Sequence, residues 1–335
     1  MPKVKDTEYL FATARVRSVE RSLLSMERVD KMLDAKNPED ALKILLDCGF
    51  GEGNAELPAS AFEELLSQER KKTNEFIRSI SPEPEVFDMF LYTYDYHNLK
   101  TILKAEYQEI SPDDYLSDAG SIPLQRMKSI VRERAYSDMT GPMGDAFVEI
   151  LDLFARTADP QVIDMIFDRA CFEDMRNSAE LSRSDYVKGY VSVLIDTTNL
   201  KTFVRLKKMD KNWDFFSKAF IEGGELPKDL FVESFDDTLK NFTDRLAVSR
   251  FGYAVTAGVE SLEASGKFTE FERLCDNCLL DYVKNAKYVP FGIEPLVGYM
   301  AAKDSEIKTA RIVMSGKLAG IPSEEIRGRL RETYV

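Results

Sequence analysis

One imidazole and four thiols are the side chains this sequence could turn to nucleophilic, redox or metal chemistry. His97 is the only histidine among 335 residues, and Cys48, Cys171, Cys275 and Cys278 are the only cysteines. A Ser-His-Asp or Cys-His catalytic set would have to recruit His97, because the nucleophile's proton needs an imidazole to receive it. Cys275-Asp276-Asn277-Cys278 spaces two thiols as in half a zinc site or a dithiol redox pair. A structural zinc needs a second ligand pair, which a single histidine does not supply. A thioredoxin-like pair follows a strand in a βαβ unit, and the pattern here is helical on both sides. The cysteines therefore read as helix-face residues of a reducing compartment. Gly49-Phe50-Gly51-Glu52-Gly53 lacks the Lys-Ser/Thr of a phosphate-binding loop, and Glu52 would repel a phosphate, so it reads as a helix-to-helix connection. The 58 acidic residues show no spacing that singles out a pair, and they read as solvated helix faces. No catalytic, metal or cofactor-binding residue is assigned, and no enzyme is expected.

His97 instead belongs to a string that the chain uses more than once. Asp95-Tyr96-His97-Asn98-Leu99-Lys100-Thr101 returns as Asp196-Thr197-Thr198-Asn199-Leu200-Lys201-Thr202, and in softened form as Lys303-Asp304-Ser305-Glu306-Ile307-Lys308-Thr309. A position that changes from His to Thr to Ser between copies reads as structural. The steps of 101 and 107 residues divide the chain into three near-equal parts. A fixed period means one unit used repeatedly, and this one is long enough for each unit to be a multi-helix lobe. Phe167-Asp168-Arg169-Ala170-Cys171 and Phe271-Glu272-Arg273-Leu274-Cys275 support the repeat. Pro112, Pro227 and Pro322 follow the three strings; Pro227 comes roughly a dozen residues later than the others, which suggests an insertion in the second lobe. The expected lobes are 1–110, 111–222 and 223–335, with the N-terminal part open to packing on the third. Head-to-tail contacts between three such lobes can close into a funnel with a central cavity.

Elements that position the string are helical throughout, because apolar residues recur at spacings of three and four. Val86, Phe87, Phe90, Leu91, Tyr94, Leu99, Ile102 and Leu103 predict one long helix from Ser81. Comparable helices are predicted from Arg183 to Met209 and from Ile293 to Leu318. Asn37-Pro38, Ser111-Pro112 and Asp159-Pro160 each place a capping side chain before proline at a first helical position. The fold class is all-α. On these helices Leu99, Ile102 and Leu103 share an apolar face, while Asp95, Asn98 and Thr101 form a polar edge. Asp196, Asn199 and Thr202 repeat that edge, and Lys303 and Glu306 reverse its sign in the third copy. Two readings stand: the edge hydrogen-bonds a neighbouring helix end within each lobe, or it lines the central opening and meets an asymmetric partner. Lys308, Arg311 and Lys317 add a basic cluster near the end of the third long helix. It too has two readings, an acidic partner or the carbonyls that end the helix.

A net charge of −13 argues against sequence-independent binding to nucleic acid or an anionic lipid surface. The first residues show no basic stretch followed by an apolar one, so no secretion signal is expected, and no window reaches the ~18 to 20 apolar residues of a membrane span. A soluble, cytosolic chain is expected unless another protein holds it at a membrane.

The same residues resemble the C-type stalk component of archaeal and bacterial V/A-type ATPases, equivalent to the d-type component of the eukaryotic vacuolar enzyme. The resemblance rests on Glu8-Tyr9-Leu10-Phe11-Ala12-Thr13-Ala14-Arg15-Val16-Arg17, Leu42-Lys43-Ile44-Leu45, Asp95 to Lys100, Phe203-Val204-Arg205-Leu206-Lys207, Glu306 to Lys317, and Ile321-Pro322. It implies an all-helical funnel of three lobes on the cytoplasmic face of a membrane rotor ring. The implied partners are the D- and F-type central shaft subunits and the c/K-type proteolipid ring, with no cofactor. The implied work is torque transmission for proton or sodium transport. The contrasting reading of the sequence is a cytosolic helical scaffold unrelated to rotary motors.

Overall fold

A computed structural model describes residues 4–53, 57–157 and 159–335. Among them the chain forms sixteen α-helices joined by turns and short 3-10 segments, with no strand. Helices α1 (Leu10–Val19), α2 (Met26–Asp34), α3 (Pro38–Asp47) and α4 (Phe62–Ile80) open the chain. They are followed by α5 (Tyr92–Gln108), α6 (Leu124–Glu133), α7 (Gly141–Thr157), α8 (Pro160–Ser182), α9 (Asp185–Lys208) and α10 (Trp213–Ala219). The last six are α11 (Lys228–Phe235), α12 (Leu239–Leu246), α13 (Gly252–Ser265), α14 (Thr269–Lys284), α15 (Glu294–Leu318) and α16 (Ser323–Arg327).

Local chemistry accounts for the boundaries. The side chain of Asn37 accepts from the Asp40 amide at 2.7 Å and that of Asp159 from the Gln161 amide at 2.9 Å, each ahead of a proline. The predicted spans 183–209 and 293–318 appear as α9 and α15. The span predicted from Ser81 does not form one helix: a 3-10 segment at Pro84–Phe90 precedes α5. Pro84 disfavours helical backbone at Glu83, so the helix does not begin at Ser81. The 3-10 period of three then aligns Val86 with Met89 and Phe87 with Phe90. Spacings of three in a sequence do not separate these two helix types. Ser111-Pro112 likewise opens only the 3-10 turn Asp113–Tyr115, with the Asp113 amide donating to Ser111 Oγ.

The chain divides into two compact units, Met1–Pro84 with Asp229–Val335, and Glu85–Lys228. In the first, α15 is the central helix, and its Ile307, Ala310, Val313 and Met314 share one apolar core with Leu24, Val29, Met32 and Leu33, Leu42 and Leu45, and Leu65 and Leu66. Burying each of the larger side chains stabilises by roughly 1.5–3 kcal/mol. In the second, α5 and α8 run antiparallel, as three cross-links show: Tyr96 to Asp174 (2.7 Å), Lys100 to Asp168 (2.5 Å) and Lys104 to Asp164 (2.6 Å). One partner advances by fours as the other retreats. Buried Phe147 and Phe167 fill the space between α7 and α8, with ring centroids 6.2 Å apart.

Candidate functional site

The repeated polar edge is built from side chains one helical turn apart, so each pair points from the same stripe of its helix. On α5, Asn98 treats Ser117 as a strand would treat its neighbour. Its Nδ2 donates to the Ser117 carbonyl at 2.8 Å, and its Oδ1 accepts from the Ser117 amide at 2.8 Å. Asp95 accepts from the amides of Ser121 and Ile122, both at 3.0 Å, and from Ser121 Oγ at 2.6 Å. On α9 the arrangement recurs: Asn199 donates to the Ile221 carbonyl at 2.8 Å and accepts its amide at 3.0 Å. Asp196 accepts the amides of Glu225 and Leu226 at 2.8 and 3.1 Å. A glycine lets each loop come this close. A Cβ on Gly120 would stand 2.2 Å from Asp95 Oδ1, and one on Gly224 would stand 2.0 Å from Asp196 Oδ1.

These bonds correct the pairing of prolines made from the sequence. Ile122-Pro123 and Leu226-Pro227 occupy the same place, directly before α6 and α11, so Pro227 matches Pro123 and not Pro112. The first anchors lie 19 and 22 residues beyond their asparagines, so the second copy is longer by three residues, not by a dozen. Pro112 and Pro322 instead follow the ends of α5 and α15. There a residue at positive φ (Glu109 at 55°, Gly320 at 67°) closes the helix, with the next amide reaching back five residues.

In the third copy the return segment comes from the other end of the chain. Glu306 Oε1 accepts the amide of Leu24 at 2.7 Å across 282 residues, and α2 follows Leu24 as α6 follows Ile122 and α11 follows Leu226. The register holds into the helices. Five residues beyond each anchored amide stand Met127, Phe231 and Val29, all with no exposed surface. Lys303 occupies the place of Asp95 and Asp196, and its ammonium lies between Glu69 Oε1 (2.5 Å) and Glu306 Oε2 (2.9 Å), 4.8 Å from the Phe50 ring centroid. Burial raises the pKa of Glu306 against the lowering pull of Lys303. Burial alone would lower Lys303, but Glu306 and Glu69 hold its pKa above the ordinary lysine value. Asp95 is raised by burial, partly offset by its bonds from Ser121 and Ile122.

Asp95, Asn98, Asp196, Asn199, Lys303 and Glu306 are thus buried, at 0–6% exposure, with their polar atoms turned to bonds inside the chain, while Thr101 and Thr202 of the same edge are half-buried. The three basic candidates separate. Lys317 donates to the Ala35 carbonyl at 2.8 Å and to that of Leu33, capping the end of α2 and not of its own helix. Arg311 forks onto Glu63 at 2.8 and 3.0 Å, and Lys308 pairs with Asp304 at 2.7 Å on an exposed stripe of α15.

His97 is exposed and bonded to the Tyr115 carbonyl at 3.0 Å. Cys275 is fully buried on α14, and burial pushes the Cys278 thiol up to about 11. Gly49 and Gly51 supply the positive φ of the turn at Phe50, whose ring is buried under Lys303; residues 54–56 of the same connection lie outside the described residues. Among the described residues no three His, Cys, Asp or Glu side chains are placed to hold a metal ion. What this polar set does chemically is brace backbone. Sequence reasoning missed Leu24, Ser117 and Ile221 because they act through backbone groups, which any residue type supplies.

Comparison with known proteins bears on what such a frame serves. A family model described as ATP synthase (C/AC39) subunit matches residues 12–329. The chain is 24% identical to the C-type chain of the V-type sodium ATPase of Enterococcus hirae, covering 98% of this chain and 99% of that protein. It is 23% identical to the C-type chain of the A-type ATP synthase of Methanocaldococcus jannaschii (96% and 86% covered) and 22% identical to that of Pyrococcus abyssi (98% and 91%). It is a part of a rotary ATPase and not itself an enzyme. With the family model spanning nearly its whole length, the chain belongs to the ATP synthase (C/AC39) subunit family.

Proposed function

We propose that the chain is the central-stalk rotor subunit of a prokaryotic V/A-type ATPase, a socket that joins the central shaft to the membrane rotor ring. It transmits torque for ATP-coupled proton or sodium transport. The observation that carries this reading is the buried bracing of α5, α9 and α15, each tied by the same polar stripe to the segment entering another helix. Satisfied buried networks stiffen a fold. An adaptor under torque needs that stiffness.

In this reading three lobes, near 1–110, 111–222 and 223–335, form a funnel whose cavity receives the D- and F-type shaft subunits. The c/K-type proteolipid ring lies beneath it. Each interface should exceed ~1,000 Å² of buried surface, since a contact that must not slip is extended. The net charge of −13 calls for basic patches on the partners. Lys308 and Arg311 remain candidate contacts on the exposed side of α15. No helix among the described residues is long and apolar enough to cross a membrane, which supports attachment at the cytoplasmic face through the ring.

Purification of the assembled complex tests the reading. The chain should pellet with membranes, co-purify with shaft and ring, and cross-link to both. Recovery as a cytosolic protein free of the other subunits would overturn it. Exchanging the Arg311–Glu63 pair (Arg311→Glu with Glu63→Arg) keeps the internal bond while reversing the charge a partner meets. Unchanged ATP-driven ion pumping would then remove Arg311 from the contact.

A further inference from the structure

We propose that the outward face of α1 (Leu10, Phe11, Ala14 and Arg15, continued by Ser18 and Arg21) is a docking seam for an acidic amphipathic helix of a partner subunit. The inference rests on the reading of this chain as a working part of a rotary complex.

Leu10 is 52% exposed and Phe11 64%, although both sit on a helix held firmly in place. Its inner face, Ala12, Thr13 and Val16, is buried. Thr13 Oγ1 donates to the Gly292 carbonyl, and Arg17 donates to the carbonyls of Ala286 at 2.7 Å and Val289 at 2.9 Å while pairing with Glu20. A large apolar pair on a pinned helix is a preorganised surface, because little entropy is left to lose on docking. Exposed apolar groups gathered on a rigid element mark interaction sites more often than scattered ones do.

Charge selects the occupant. The chain carries 58 acids against 45 bases, yet the exposed face that runs through Leu10, Phe11, Ala14, Arg15, Ser18 and Arg21 carries two arginines, Arg15 and Arg21, and no carboxylate. The guanidinium of Arg15 lies 5.9 Å from the centroid of the Phe76 ring, which steadies it at the edge of the apolar pair. Arg21 carries the basic edge onward. From Leu10 to Arg21 the seam runs ~16 Å at 1.5 Å per residue, enough for three turns of a second helix with apolar residues three and four apart and Asp or Glu beside them. An anionic lipid surface is disfavoured by the net charge of −13. A second copy of the same face is disfavoured because a twofold contact would set Arg15 against its own symmetry mate.

The test uses the assembled, purified ATPase with benzoylphenylalanine replacing Phe11. The expected product is a photo-cross-link to a helical, acid-bearing segment of a shaft or ring subunit. A cross-link to lipid or to a second copy, or none at all, would overturn the inference. In a second arm, Phe11→Ser with Arg15→Glu should weaken retention of that partner about tenfold, the factor that ~1.4 kcal/mol produces. Unchanged retention would overturn it as well. Both side chains are exposed, so melting should not shift; if it does, the cross-linking arm decides. Shaft and ring that fail to co-purify with the unaltered chain would defeat the stalk reading. Co-purification with a silent α1 probe would defeat this inference alone.

Discussion

Lys303 shows how one substitution within a repeat rewires its surroundings. The other two copies place aspartate there, and each aspartate is satisfied by incoming amides. Lysine has no acceptor to offer, so the duty of holding the return segment moves to Glu306, and Glu69 is drawn in as the second counter-charge. Two carboxylates on one buried ammonium leave a net negative charge, and the second oxygen of Glu69 is buried without a hydrogen bond. Lys303→Met should therefore cost ~3–5 kcal/mol by leaving buried carboxylates without their cation. Glu306→Gln should cost far less, since the amide oxygen still accepts from Leu24. The pH dependence has a definite sign. Because Glu306 is held above its ordinary 4.5, its contribution to stability is complete below pH 4.5 and is lost as the pH rises through the raised value. Urea titrations across pH 4 to 7.5 should show that fall reduced in Glu306→Gln. An equal slope in both proteins would place the buried proton elsewhere.

At the scale of the element, the unit that recurs is a long helix, a loop fastened to its polar stripe, and the helix that leaves the loop. Gly224 is the tightest point of that unit, with Asp196 where its Cβ would be. Gly224→Ala should cost ~2 kcal/mol or more, because the loop must retreat and two amide bonds to Asp196 weaken. Gly141→Ala, where nothing lies within 4 Å, should be neutral or slightly stabilising. Chemical-denaturation midpoints distinguish the two. Helix ends carry a second expectation. Glu109 sits at φ 55° at the close of α5, where glycine would relieve strain, so Glu109→Gly should match or exceed the parent in melting temperature. Much of this was legible in the sequence: α9 and α15 fall within two residues of their predicted spans, and the repeated string lies on three matching helices. The loops were not. Their anchors are backbone amides, so Ser117, Ile221 and Leu24 share no side-chain signature, and the visible prolines invited the wrong pairing of Pro112 with Pro227.

For the whole molecule, the consequence is that one compact unit is continuous in sequence and the other is not. Glu85–Lys228 contains α5 with its return loop and α9 with its own, so every bond described for these two copies closes within it. The unit of Met1–Pro84 with Asp229–Val335 depends on both ends of the chain: α15 supplies Lys303 and Glu306, while the opening residues supply Leu24 and the buried Val29, Met32 and Leu33. Expressed alone, residues 85–228 should give a helical circular-dichroism spectrum and a single cooperative melt. Removing residues 1–34 from the full chain should strip one wall from the core around α15 and leave the charges of Lys303, Glu69 and Glu306 open to water. That unit should then lose its transition while the other keeps its own. Because the bond across 282 residues must form late and brings a large loop-closure entropy, folding of this unit should also be the slower step. Stopped-flow refolding of the full chain should show a slow phase that the 85–228 fragment lacks, and a fragment refolding as slowly as the whole would remove chain-end closure as its cause.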